Sequence, residues 1–159
     1  MKQSLTVDIV IGVVALGFLI TRQLRARRIS STGLRIVAIL AVVGLIEAAG
    51  YLRGSHGGAV TYAALGGSLV LAAIFGAIRA STVRVWTEGG LAWMQGNWLT
   101  AVLWVLAVAA HLGYDYLVAH GSADRSVGSA TVVLYLAVSL GIQRLITQWR
   151  STRLQAATP

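Results

Sequence analysis

The chain has 159 residues and a formal net charge of +8, with 57% hydrophobic residues, only 11% charged residues and a mean hydropathy of +0.75. A soluble domain carries roughly 25% charged residues, so this composition excludes an ordinary soluble protein and indicates an integral membrane protein. The arginines lie at the ends of apolar segments, which argues against nucleic-acid binding, and the absence of cysteine excludes disulfides, thiolate metal sites and thiol redox catalysis.

Five apolar segments are long enough to cross a bilayer: residues 5–20, 35–52, 59–78, 98–117 and 131–149. The first lacks a small-residue cleavage site and is followed at once by four arginines, so we expect an uncleaved anchor rather than a signal peptide. The third carries a small residue at every fourth position, which predicts a face for close helix packing. The stripe consists of Ala64, Ser68, Ala72, Gly76 and Ala80.

The stretch between the third and fourth spans, residues 80–97, departs from this pattern. Two β-prone segments, residues 82–86 and 91–95, flank Glu88-Gly89-Gly90, which predicts a hairpin or tight loop at the membrane surface. The sequence therefore predicts an all-α integral membrane protein forming a single domain over residues 1–159. It has five transmembrane helices and a short hairpin-like segment between helices three and four.

The distribution of basic residues predicts the orientation. With five spans, one side carries ten arginines: Arg22, Arg25, Arg27, Arg28, Arg35, Arg79, Arg84, Arg144, Arg150 and Arg153. The other side carries Lys2, Arg53 and Arg125. Because basic residues accumulate in cytoplasmic loops, we expect the N-terminus outside and the C-terminus in the cytoplasm of an inner or plasma membrane.

Ionisable residues inside the spans are the candidates for chemistry, because such groups are costly in a bilayer and mark functional sites. Glu47 lies near the outer end of the second span, and His111 and Asp115 lie at a similar depth, four residues apart on one helical face. We predict that these candidate catalytic residues meet in an outward-facing pocket. The residues expected to line it are Asp8, Tyr51, Tyr62 and Tyr114.

Each of these residues also has a structural interpretation. Asp8 is near enough to the terminus to be solvated, and the tyrosines are typical interfacial anchors. His111 and Asp115 form a neutral pair that fixes helix packing in this interpretation. Glu47 is then protonated or paired, since a carboxylate this far inside a span is not stable alone.

Three kinds of chemistry fit this set of residues. General acid catalysis on a lipophilic, isoprenoid-like substrate, as in a cyclase or isomerase, would use a carboxyl kept protonated by its apolar surroundings. Proton or ion movement would use the same groups as a relay. A metal site matches no known motif, and haem is disfavoured because His111 alone lies within a span. We therefore expect no metal and no cofactor.

The stretch TVRVWTEGGLAWMQGNWLTAVLW, Thr82 to Trp104, resembles the CcdC-like family of small actinobacterial membrane proteins. The matching residues are Arg79, Thr82, Val83, Arg84, Trp86, Gly90, Gly96, Trp98, Leu99 and Thr100, with Asp115 in the following helix. The resemblance implies a multi-pass membrane protein linked by name to cytochrome c biogenesis, with no established activity. The lack of cysteine argues against a direct thiol-redox role of this chain in cytochrome c biogenesis.

These observations favour an accessory or structural membrane protein, with a membrane enzyme as the second function and ion translocation as the third. The expected partners are the lipid bilayer, a second copy or another membrane protein, and a lipophilic small molecule for the enzyme; nucleic acid is not expected.

Overall fold

The computed structural model describes residues 14, 17–18, 20–30, 32–54, 58–121 and 127–156. Residues 20–24 are helical, and they follow directly on the first predicted span. Most of that span, and Asp8 within it, lies outside the described residues, so the fifth transmembrane helix stays a prediction.

The described residues contain four long helices: α1 (Thr32–Gly54), α2 (Ala59–Thr82), α3 (Trp98–Gly121) and α4 (Val127–Ala156). All four are long and apolar enough to cross a membrane, which is the organisation of a multi-pass membrane protein. Each is longer than the span predicted for it, because hydropathy marks the apolar part of a helix while helical hydrogen bonding continues into its polar ends.

Helix α4 is the centre of the bundle. Its apolar window is 44% buried, against 17–22% in the other three helices. Both α1 and α2 pack against α4, and α3 packs mainly against α2. Two glycines allow backbone-to-backbone approach. A Cβ at Gly44 would lie 2.5 Å from the Leu134 nitrogen, and one at Gly76 would lie 2.5 Å from the Ser139 carbonyl oxygen.

The predicted stripe of small residues on α2 is used inside the chain. All five of its members, from Ala64 to Ala80, are buried. Gly76 within the stripe lies directly against the backbone of α4. The stripe is therefore a packing face between helices of one molecule, and it is not open to a second subunit.

A small antiparallel sheet lies between α2 and α3. The hairpin consists of β2 (Arg84–Glu88) and β3 (Leu91–Gln95), and Gly89 and Gly90 at its tip have φ angles of +58° and +75°. A two-residue turn with positive φ at both positions matches the twist of the two strands, which is why glycine stands there. The additional strand β1 (Arg27–Arg28) pairs with β3, so the strand order is β1-β3-β2. This third strand was not expected from the sequence.

The sheet gathers the arginine-rich segments at one end of the bundle. Gly96 donates its backbone N–H to the Gln23 carbonyl at 2.9 Å, and Gln95 donates to the Leu24 carbonyl at 3.0 Å. From α4, Arg150 donates to the Val83 carbonyl at 3.0 Å. Residues 20–30, residues 83–97 and the end of α4 (residues 144–153) thus form one assembly, the basic cap. The predicted grouping of these segments at one end is present, whereas their membrane side remains a prediction.

Candidate functional site

The candidate site is a polar cluster in which three helices meet, made of Ser68, His111, Asp115 and Tyr135 (the His111 cluster). His111 Nε2 lies 3.4 Å from Asp115 Oδ2, outside hydrogen-bond geometry, and His111 Nδ1 lies 3.5 Å from Ser68 Oγ. The imidazole stacks on the Tyr135 ring with centroids 4.3 Å apart and an interplanar angle of 25°. The cluster therefore connects α2, α3 and α4 through a single histidine.

The enclosure of His111 is nearly complete. The residue is 3% exposed, and Tyr135, 2% exposed, donates its hydroxyl to the Ala107 carbonyl at 3.0 Å. Asp115 is the more accessible partner, with 21% of its side chain exposed. The four-residue spacing places Asp115 one helical turn beyond His111 on the same face, as the sequence predicted. The pair is thus a buried imidazole with a partly exposed carboxyl beside it.

Tyr114 lies next to this cluster but has a packing role. Its hydroxyl donates to the Ala64 carbonyl at 3.0 Å, so its donor is satisfied by the α2 backbone. The same hydroxyl lies over Gly67, where a Cβ would come within 2.3 Å of it. Tyr114 therefore holds α3 against α2, and its hydroxyl fills the space that a side chain at residue 67 would occupy.

None of the other described residues predicted for the pocket is enclosed as His111 is. Glu47 is exposed on α1, Tyr62 is 56% exposed on α2, and Tyr51 is half-buried. Asp8 lies outside the described residues. Within the described part of the chain, no three His, Asp or Glu side chains are close enough to hold a metal ion. Similar predicted depth in the membrane did not mean equal burial, because the rotation of a helix about its axis decides which of its residues face the interior.

The burial of one arginine, Arg79, was not predicted from the sequence. Arg79, counted among the basic residues that follow the third span, lies within α2, is 0% exposed and places its guanidinium carbon 3.8 Å from the centroid of the Trp104 ring. It donates to Ser139 Oγ on α4. In the described part of the chain, its Nε and Nη1 atoms have no hydrogen-bond partner. The aromatic face of Trp104 and the Ser139 hydroxyl therefore both contribute to the electrostatic compensation of this cation.

A second unpredicted feature is a stripe of buried polar side chains along α4. The residues recur every fourth position and are all at most 5% exposed: Thr131, Tyr135, Ser139, Gln143, Thr147 and Ser151. Tyr135 and Ser139 make the contacts described above. Gln143 exchanges two amide hydrogen bonds with Gln23, at 3.2 and 3.3 Å. The period of four polar residues was visible in the sequence and could have identified the buried face of α4.

The contacts in the Thr82–Trp104 stretch are structural. Thr100 and Asn97 cap α3 reciprocally: the Thr100 N–H donates to Asn97 Oδ1 at 3.0 Å, and the Asn97 N–H donates to Thr100 Oγ1 at 3.1 Å. The hydroxyls of Thr82 and Thr100 are 3.0 Å apart, which joins the end of α2 to the start of α3.

Comparisons with protein-family models, with curated proteins and with solved structures find no match to this chain.

Proposed function

We propose that this chain is a non-catalytic accessory protein of an inner or plasma membrane, of the CcdC-like kind. In this proposal it has five transmembrane spans, with the N-terminus outside and the C-terminus in the cytoplasm. The observation that carries the proposal is the enclosure of His111, which is 3% exposed. A general acid or base must come within roughly 3 Å of a substrate atom. The faces of His111 are instead occupied by Ser68, Asp115 and Tyr135.

The exposed surfaces of the helices support an accessory role. Only 17–22% of the apolar windows of α1, α2 and α3 is buried, so most of their surface faces lipid or another membrane protein. Glu47 lies on such a face of α1. A carboxylate against lipid is costly unless it is protonated or paired. A partner helix with a donor for Glu47, from another protein or a second copy, would remove this cost.

A membrane enzyme remains the second candidate function, and one observation favours it. Asp115 keeps 21% of its side chain exposed while lying 3.4 Å from a fixed imidazole. A lipophilic, isoprenoid-like substrate reaching Asp115 from the lipid side would meet a carboxyl that lies beside an imidazole. In this function Asp115 is the proton donor, and His111 is the neighbouring group that influences its charge.

Comparative lipid analysis separates the two functions. Cells expressing the wild-type chain are compared with cells expressing Asp115→Asn or Glu47→Gln, and Glu88→Gln on the exposed hairpin serves as the matched control. The accessory function predicts the same membrane lipid profile in all four strains. A lipid that accumulates or disappears only when Asp115 or Glu47 is neutralised would establish the enzyme instead.

Photo-cross-linking gives the positive test of an accessory role. A photoreactive residue replaces Ile46, which is 66% exposed and adjacent to Glu47, or Val70, which is 61% exposed on α2. We expect one defined protein adduct from residue 46, lost in the Glu47→Gln variant. Adducts to lipid alone at both positions would contradict a partner on this face.

A further inference from the structure

The basic cap contains a half-open cavity of about 670 Å³. Its wall carries five arginines: Arg22, Arg25, Arg27, Arg28 and Arg144. No carboxylate among the described residues lines it. Five cations around one space repel one another, and no described residue of the wall carries a compensating negative charge. The electrostatics of the cavity therefore favour an anion.

The position of Arg144 adds to this argument. Its guanidinium lies against the first turn of α1, where a Cβ at Gly33 would be 2.6 Å from the Arg144 Cζ atom. The N-terminus of a helix is its positive end, so a cation placed there is unfavourable unless an anion lies close to both. Arg144 donates to Met94 Sδ at 3.7 Å, and a thioether is a weak acceptor. A single anionic group could therefore interact with both the Arg144 guanidinium and the N-terminus of α1.

The lowered pKa of Arg27 is consistent with an anion-binding cavity. The pKa of Arg27 is lowered to about 10, chiefly because the side chain is partly buried and also because Arg144 and Arg22 lie close to it. An anion bound among these three side chains would oppose both the repulsion and the loss of hydration.

The cavity also continues into an apolar region. A smaller space of about 110 Å³ shares Arg22, Arg27 and Arg144 with the larger one and reaches Val37, Leu40 and Leu140. Phe18, in the wall of the main cavity, is 61% exposed. A charged region adjoining an apolar one matches a ligand that has a charged head and a hydrocarbon tail.

We propose that this cavity binds the phosphate group of an anionic phospholipid, with the hydrocarbon chains leaving along Val37, Leu40 and Leu140. Guanidinium groups present paired donors that match the oxygens of a phosphate, which explains why arginine rather than lysine surrounds the space. A soluble phosphate ester carries the same phosphate group as a phospholipid and is the alternative ligand. The inference does not depend on the accessory function proposed above.

Lipid binding to the purified, delipidated full-length chain tests the proposal, with bound ligand counted by native mass spectrometry. The probes are dioctanoyl phosphatidylglycerol, dioctanoyl phosphatidylcholine and glycerol 3-phosphate. We expect phosphatidylglycerol to bind roughly tenfold or more tightly than phosphatidylcholine, and both Arg144→Gln and Arg27→Gln to weaken it about tenfold. Arg144→Lys keeps the charge but loses the paired donors of the guanidinium, so it also serves as a control for folding. We expect it to lose affinity for phosphatidylglycerol to a degree between the wild type and Arg144→Gln.

Arg153→Gln is the matched control, because Arg153 lies on the same helix, stacks on Trp149 at 3.8 Å and is not part of the cavity wall. It should change the affinity for phosphatidylglycerol less than about threefold. A different result is that glycerol 3-phosphate binds, and loses affinity in Arg144→Gln and Arg27→Gln, while phosphatidylglycerol does not bind. That result would support a phosphate-binding site and refute a phospholipid as its ligand. Equal binding of both lipids, or an equal loss in Arg153→Gln, would overturn the proposal, since either result means diffuse attraction.

Discussion

The Arg79 guanidinium lies over the face of Trp104, with its central carbon 3.8 Å from the ring centroid. Arg79 is 0% exposed and Trp104 is 1% exposed, so the contact is sealed from water and lipid. Trp104 ends the stretch on which the family resemblance rests, and Arg79 precedes that stretch by three residues. The contact joins α2 to α3, and the donation from Arg79 to Ser139 extends it to α4. A cation is thus part of the packing of three helices.

A double-mutant cycle should measure this contact. Trp104→Leu removes the aromatic face that a buried cation contacts, whereas Arg79→Met removes the charge and keeps most of the volume. We expect a coupling free energy of roughly 1–2 kcal/mol, because cation–π contacts are stronger when desolvated. The measurement is the free energy of unfolding of each variant in detergent micelles. Additive effects of the two substitutions would show that the ring contributes packing alone.

The amide pair between Gln23 and Gln143 predicts an asymmetric response to substitution. Both side chains are buried, and each donates to the other at 3.2–3.3 Å. Gln143→Leu leaves the Gln23 amide buried without its partner and should destabilise the fold by about 1–3 kcal/mol. Adding Gln23→Leu should recover part of that loss, as the melting temperatures of the three proteins would reveal. Further destabilisation in the double variant is the result that this account does not allow.

Two glycines of α1 provide a matched pair of substitutions. A Cβ at Gly44 would lie 2.5 Å from the α4 backbone, whereas a Cβ at Gly50 would have no atom within 4 Å. Gly44→Ala should therefore separate the helices and lower the melting temperature. Gly50→Ala should raise the stability by about 0.5–1 kcal/mol, because alanine is the better helix former. Equal effects at the two positions would contradict the close approach of α1 to α4.

The lowered pKa of Arg27 predicts how lipid binding depends on pH. A bound phosphate diester favours the charged guanidinium, so affinity is full below the pKa of the unliganded protein and falls as pH rises through about 10. Arg22, Arg25, Arg28 and Arg144 face the same cavity and have the same sign of charge. Titration of phosphatidylglycerol binding from pH 7 to 11 checks this. The Arg27→Gln variant should lose the step near pH 10, and a step that survives in that variant would assign it to another group.

The four long helices and the hairpin could be predicted from the sequence because each has a local sequence pattern. Long apolar runs mark spans whatever their neighbours are, and Glu88-Gly89-Gly90 specifies a tight turn by itself. Strand β1 has no such signal: Arg27 and Arg28 are extended because they pair with Met94 and Trp93, far away in the chain. A two-residue strand depends on its partner, so no local pattern could have identified it.

The candidate site was harder to predict, for a reason specific to membrane helices. Helices that are apolar on all sides give little indication of which face is buried. Glu47 and His111 were placed at similar depth, yet Glu47 is exposed and His111 is enclosed. Arg79 was counted with the basic residues that follow the third span, although an aromatic ring can enclose a guanidinium inside the helix bundle. The polar residues at every fourth position of α4 were the available clue to the interior.

The most direct test of the account is the sidedness of the basic cap. The chain has no cysteine, so single cysteines can be introduced at exposed positions and labelled with a membrane-impermeant maleimide in intact cells. We expect Ser30→Cys, Glu88→Cys and Thr152→Cys to be labelled only after lysis, whereas Gly58→Cys, at the other end of the bundle, should be labelled from outside. Labelling that divides the three cap positions between the two sides of the membrane would contradict the assembly of these segments into one cap.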